Sequence, residues 1–248
     1  MKTGLIVFLT TAVLAGGQDL ERTFPLSNTA TTQDLQELAT VIRSTADIRQ
    51  LAADAERKSI TIHGNNDQIA LMEWLLTSLD APTGTVNLSK HKYRMPPGTD
   101  ANVVAVFSLT HVGTVQDLAE VGTVVRSMVE IPRLFVYSAR KAMVARGTPE
   151  QIDLVEWLVR ELDQPVDTPK PTRREYTVPG PGFPDNVVRV FSLKPNTPVQ
   201  RLQQIAKQVR VTTGVRRLFT YNAARTITLR GTPSQVEQAY QMIGDLDR

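Results

Sequence analysis

Three histidines, His63, His91 and His111, are the residues best suited to acid–base or metal chemistry in this chain, and none is spaced with another His or carboxylate as a metal site requires. There is no cysteine, which removes thiol nucleophiles and thiolate metal ligands. Ser and Asp are scattered without a nucleophile-elbow or phosphate-loop pattern. The polar residues that do recur keep fixed places instead. Arg43, Arg126 and Arg210 form one such set, Arg146 and Arg230 a second, and Asp80, Asp163 and Asp247 a third. The arginines together could line a basic stripe, whereas the aspartates fall at helix boundaries, where capping accounts for them. This pattern predicts no catalysis, cofactor, metal or small-molecule substrate.

The recurrences belong to blocks of about sixty residues that repeat three times. Phe24, Phe107 and Phe191 open the blocks, Leu26, Leu109 and Leu193 follow, and Gly64, Gly147 and Gly231 come late in each. Each block closes on Leu-Asp, at Leu79-Asp80, Leu162-Asp163 and Leu246-Asp247. One supersecondary unit has been copied. A unit of this size buries only roughly 60% of its unfolded surface and gains from packing on neighbours.

Periodicity orders the elements within a block. In the second copy Val103 to Leu109 reads as a strand, and Val115, Leu118, Val121 and Val125 share one helical face. Leu134 to Tyr137 and Ala142 to Arg146 form a hairpin across a polar turn at 138–140. Thr148-Pro149-Glu150 is cap, first-turn proline and first-turn acid of a helix that runs to Leu162. The predicted fold class is α+β: three tandem β-α-β-β-α domains, each a three-stranded sheet with two helices on one face. The divisions are a signal peptide at 1–17, repeat domains at 18–82, 103–165 and 187–248, and linkers at 83–102 and 166–186, whose parallel stretches starting at Tyr93 and Tyr176 read equally as a further strand on a sheet edge or as a spacer.

The N-terminal segment carries one lysine, an apolar run from Gly4 to Leu14 too short to span a bilayer, and the small residues Ala15-Gly16-Gly17. It predicts export to the periplasm or another extracytoplasmic compartment, with no transmembrane segment in the mature chain. A net charge of +3 does not by itself point to nucleic acid.

Two groups of side chains look outward for a partner. On the last helix of the second copy, Ile152, Val155, Val159 and Leu162 face the sheet, while Trp157 points away with Leu154 beside it. Trp74 and Leu71 repeat the arrangement, and Gln241 and Gln238 replace it in the third copy. This predicts that Trp74 and Trp157 pack against the downstream linker or domain. Phe135 and Tyr137, with Phe219 and Tyr221, share one hairpin face each and are either core or an aromatic patch for a partner. The first copy has Ala52 and Asp54 there.

The segments VFSL, VQDLAEVGTVVRS and VYSARKAMVARGTPEQIDLVEWLVRELDQP of the second copy resemble the short N-terminal domains of bacterial secretins. The third copy matches through VFSL, LQQIAKQVR and TYNAARTITLRGTPSQV, and the first more weakly through TIHGNNDQI. The resemblance implies a periplasmic, ring-building or partner-docking module with a KH-like fold, acting through protein partners or self-association. No β-rich channel domain is present in these 248 residues. The alternative is a KH-like nucleic-acid-binding protein, against which stands the lack of a basic GxxG loop in any copy.

Overall fold

The computed structural model describes residues 20–81, 92–96, 101–165, 174–180 and 184–247. The segment read as a signal peptide lies outside them. The first unit contains β1 (Leu20–Pro25), α1 (Thr32–Ala46), β2 (Gln50–Asp54), β3 (Ser59–Gly64) and α2 (Asn66–Leu79). The second contains β4 (Lys92–Arg94), β5 (Val103–Ser108), α3 (Val115–Val129), β6 (Arg133–Tyr137), β7 (Ala142–Gly147) and α4 (Pro149–Leu162). The third contains β8 (Arg174–Thr177), β9 (Val187–Ser192), α5 (Val199–Thr213), β10 (Arg217–Tyr221), β11 (Thr226–Gly231) and α6 (Pro233–Leu246).

Local chemistry fixes the helix starts. Thr31, Asn65, Thr114, Thr148 and Thr232 each accept from the backbone N–H three residues on, whose side chain answers to the cap, closing a reciprocal box. Among the described helices α5 alone lacks such a bond, because its N-cap position is Pro198. Each helix ends over an aspartate or a left-handed residue. Asp80 accepts from the Ser27 and Asn28 amides at 2.6 and 3.0 Å, and Asp163 from Thr110 and His111 at 2.7 and 2.8 Å. Asp247 takes the Lys194 amide at 2.8 Å, so the recurring closing aspartate ties the loop that follows β1, β5 or β9 in its own unit.

The first sheet has the order β1-β3-β2, with every neighbouring pair antiparallel. β1 and β2 therefore run the same way with β3 between them. The expected three-stranded sheet holds only here. The other two sheets are four-stranded, β4-β5-β7-β6 and β8-β9-β11-β10. The extra strands come from the segments read as linkers: Tyr93 pairs with Val104, and Tyr176 with Val188. Three and four residues are too few to show strand periodicity, so long-range pairing creates these strands.

The three units stack. Along β5, Val103, Ala105 and Phe107 join the core of their own helices α3 and α4, whereas Val104 and Val106 join the core of α1 and α2. In the same way Val188 and Val190 of β9 pack into the core of α3 and α4. Sheets two and three are thus sandwiched between helix layers, which explains the unbroken apolar run of β5 and the run of β9 that only Arg189 interrupts. β1, with the sequence LERTFP, alternates because its outer face meets solvent.

Candidate protein-contact surfaces

The surfaces between units are built from the residues that the sequence singled out. Trp74 on α2 and Tyr93 on β4 are tilted rings 5.6 Å apart, and Trp157 on α4 meets Tyr176 on β8 at the same distance. Leu71 and Leu154 are buried. At the equivalent places on α6, Gln238 and Gln241 are exposed. Phe135 and Tyr137 point from the second sheet into the core of the first unit. Phe219 and Tyr221 do the same against the second unit. Burial, with Asp117, Asp163 and Glu120 nearby, pushes the Tyr221 phenol up to about 12.

The five recurring arginines split into two kinds. Arg43, Arg126 and Arg210 sit in the last turn of α1, α3 and α5 and donate to the Leu51 carbonyl at 3.1 Å, to the Leu134 carbonyl at 2.6 Å and to the Leu218 carbonyl. Each leans over the edge strand of its own sheet. Arg146 and Arg230 are 5% and 4% exposed and reach into the preceding unit. Arg146 donates to the Thr45 carbonyl at 2.7 Å and to the Asp47 carboxylate at 2.9 Å. Arg230 donates to the Met128 carbonyl at 2.7 Å and lies 3.6 Å from the Glu130 carboxylate. Burial lowers the pKa of both guanidinium groups below the usual arginine value.

Sequence reasoning missed the acids that receive these arginines. Asp47 and Glu130 end α1 and α3 in the left-handed region, at φ 55° and 57°, where a side chain is disfavoured. Gly214 occupies the same conformation after α5, at φ 66°. The acids accept that strain and pair with the next unit: Arg133 donates to Asp47 at 2.7 Å, and Arg217 donates to Glu130. Glu37 accepts from the Ser138 amide at 2.9 Å and Glu120 from the Asn222 amide at 3.0 Å, adding a second tie at each junction. A signal was present in the sequence. The arginine gives way to His63 only in the first copy, and the acid to Gly214 only in the third.

His63 and His111 stand apart from these surfaces. His63 lies 3.6 Å from Glu21 on the open face of the first sheet. His111 Nδ1 is 2.9 Å from the Asp163 backbone carbonyl, beside a cleft of about 370 Å³ lined by Phe107, Glu156 and Arg160. The Asp163 carboxylate there is taken up by the loop amides. His91 lies outside the described residues. Among the described residues no three His, Asp or Glu side chains gather as a metal site, and no helix is long and apolar enough to cross a membrane.

No family model and no curated protein matches the sequence. Solved structures to which the chain is similar include secretins. ExeD of Aeromonas hydrophila aligns over 94% of this chain and 42% of its own, at 13% identity and a TM-score of 0.22. GspD in the enterotoxigenic E. coli pilotin–secretin complex aligns over 94% and 38%, at 16% identity and a TM-score of 0.23. The N-terminal domain of XcpQ from Pseudomonas aeruginosa aligns over 92% and 100%, at 11% identity and a TM-score of 0.28. The chain spans about two fifths of the length of the first two.

Proposed function

We propose that this protein is a non-enzymatic, exported docking or assembly module, comparable in role to the periplasmic N-domains of secretins, that works through protein–protein contacts. The observation that carries the reading is the stacking itself. The recurring aromatic positions, with Arg146 and Arg230, are spent on joining one unit to the next, which leaves outer faces and edges of the stack for partners. A polar end layer supports the same reading, because Gln204, Gln208, Gln238 and Gln241 cover the outside of α5 and α6.

The nucleic-acid reading finds less support. Two of the five arginines that would make its basic stripe are buried between units, and Arg43, Arg126 and Arg210 each hold a strand carbonyl. The test of the main reading is in-cell crosslinking of the tagged chain, followed by fractionation and light scattering. The expected result is a defined complex with an envelope protein, or a closed oligomer, in the extracytoplasmic fraction. Recovery from the cytoplasm, or a monomer that crosslinks to nothing, overturns it.

A further inference from the structure

The free edges of the three sheets are not alike. β2, β6 and β10 each have an arginine bonded to the carbonyl of their second residue, as given above, which obstructs further pairing. β4 and β8 are edges of three and four residues, short enough to discourage addition. β1 is six residues long, pairs with β3 along its length, and carries no strand on its other side among the described residues. At the same place in the other two units the edge is filled, by β4 on β5 and by β8 on β9.

The third unit shows what fills such an edge. Arg189 on β9 lies over the Phe191 ring at 5.0 Å, has Glu237 of α6 at 3.8 Å, and faces Glu175 of β8 at 3.7 Å. Covered by β8, its side chain is 2% exposed. Arg22 on β1 repeats this setting, lying over Phe24 at 5.6 Å and pairing with Glu73 of α2 at 2.6 Å. With no strand across from it among the described residues, its side chain is 36% exposed. The second unit, which has Ala105 instead, places Lys92 opposite it.

We propose that the edge of β1 is a docking site for an extended segment of a protein partner, added antiparallel, with an acidic side chain opposite Arg22. Main-chain bonds supply the attachment, and the carboxylate on Arg22 supplies the choice of segment. The bonds from Met95 to the Asn102 carbonyl and from Val178 to the Asn186 carbonyl set which backbone groups face the added strand. Carried to the first unit by the alternation of an antiparallel ladder, that phase turns the amides of Glu21 and Thr23 outward. This site rests on the protein-docking reading above and narrows it to one edge and one kind of ligand.

The test is backbone amide hydrogen exchange, read by NMR on the purified protein, with a peptide of residues 172–179 as the probe, a strand that sets one glutamate, Glu175, opposite Arg189. Saturating peptide is expected to slow exchange at Glu21 and Thr23 by at least about tenfold. The same peptide carrying Glu175→Lys should bind roughly three- to tenfold more weakly, which changes the ligand and leaves the protein intact. Arg22→Gln should abolish that preference. Absence of protection, equal binding of both peptides, or protection at the β2, β6 or β10 edge overturns the proposal. So does protection that rises with protein concentration alone, since the occupant is then a second copy. A crosslinked partner that leaves β1 unprotected removes this site while the docking function stands.

Discussion

Arg146 and Thr45 belong to different units, yet a guanidinium nitrogen of the first donates to the carbonyl of the second at 2.7 Å. The last turn of α1 is thus completed by a side chain from the neighbouring sheet. Helix ends leave carbonyls without intrahelical donors, and a buried end must find them elsewhere. Here the donor is supplied only when the units stack. The same relation between Arg230 and Met128, also at 2.7 Å, makes the second junction a copy of the first.

Arg146→Met keeps most of the volume but leaves a helix-end carbonyl without its donor. Removing one partner of a buried pair costs about 3–5 kcal/mol, and the half-exposed Asp47 can be reclaimed by water, so a loss of roughly 2 kcal/mol is expected. Urea unfolding followed by tryptophan fluorescence should show a lower midpoint, with the first unit separating before the rest. Arg146→Lys should recover only part of the loss, because one ammonium cannot serve the Thr45, Asp47 and Ala101 oxygens together. A change below about 0.5 kcal/mol would show that the lock does not hold the junction.

Acid should loosen the same junction. Burial raises the Asp47 pKa, but Arg133 and Arg146 act against it and hold the carboxyl below its usual value of 3.8. A carboxyl depressed by folding contributes stability that is present above its unfolded pKa and is lost as pH falls through the folded one. The carboxylate is about half exposed, so the effect is a few tenths of a kcal/mol. Asp47→Asn should be less stable than the wild type at pH 7 and converge with it as pH falls through the depressed carboxyl pKa. A constant difference across that range would assign the stabilisation to something other than charge.

The unit order, the caps and the hairpin were legible because each is local: Thr148-Pro149 starts α4, and the polar turn after Tyr137 is one turn of 3-10 helix at Ser138–Arg140. β4 and β8 were legible only as one of two equal readings, strand or spacer, since Lys92–Arg94 and Arg174–Thr177 become strands only by pairing with β5 and β9. The arginines were legible as recurrences and illegible as to place. Arg126 and Arg146 lie in one block, yet one bonds its own edge strand while the other is buried against a different unit. That distinction depends on which face of a sheet meets the neighbour, and the correlated exchanges at His63 and Gly214 were its trace in the sequence.

The tryptophan–tyrosine pairs should be energetically coupled. A double-mutant cycle over Trp157→Leu and Tyr176→Leu is expected to give about 0.5–1.5 kcal/mol beyond the area each ring buries. The pair Trp74 and Tyr93 should behave alike, having the same 5.6 Å separation and a closely similar tilt. Coupling near zero at both would mean that the rings only cover neighbouring surface.

Gly147 sits where α4 leaves β7, and its smallness, not a left-handed backbone, is what the site uses. Positive φ among the described glycines occurs at Gly180 and Gly214. A Cβ on Gly147 would stand 2.7 Å from Gln151 Oε1 and 2.9 Å from Ile131 Cδ1. That glutamine cannot swing away freely, because Oε1 accepts from the Thr148 amide at 3.1 Å to close the helix cap. Ile131 is fixed in the core. At Gly231 the matching distances relax to 3.1 Å from Gln235 Oε1 and 3.3 Å from Val215. Gly147→Ala should therefore cost about 2 kcal/mol through the lost cap and the displaced core side chain, and Gly231→Ala about 1 kcal/mol or less. Thermal unfolding of the two variants ranks them directly, and the reverse order would remove the steric account of why this position is glycine in every copy.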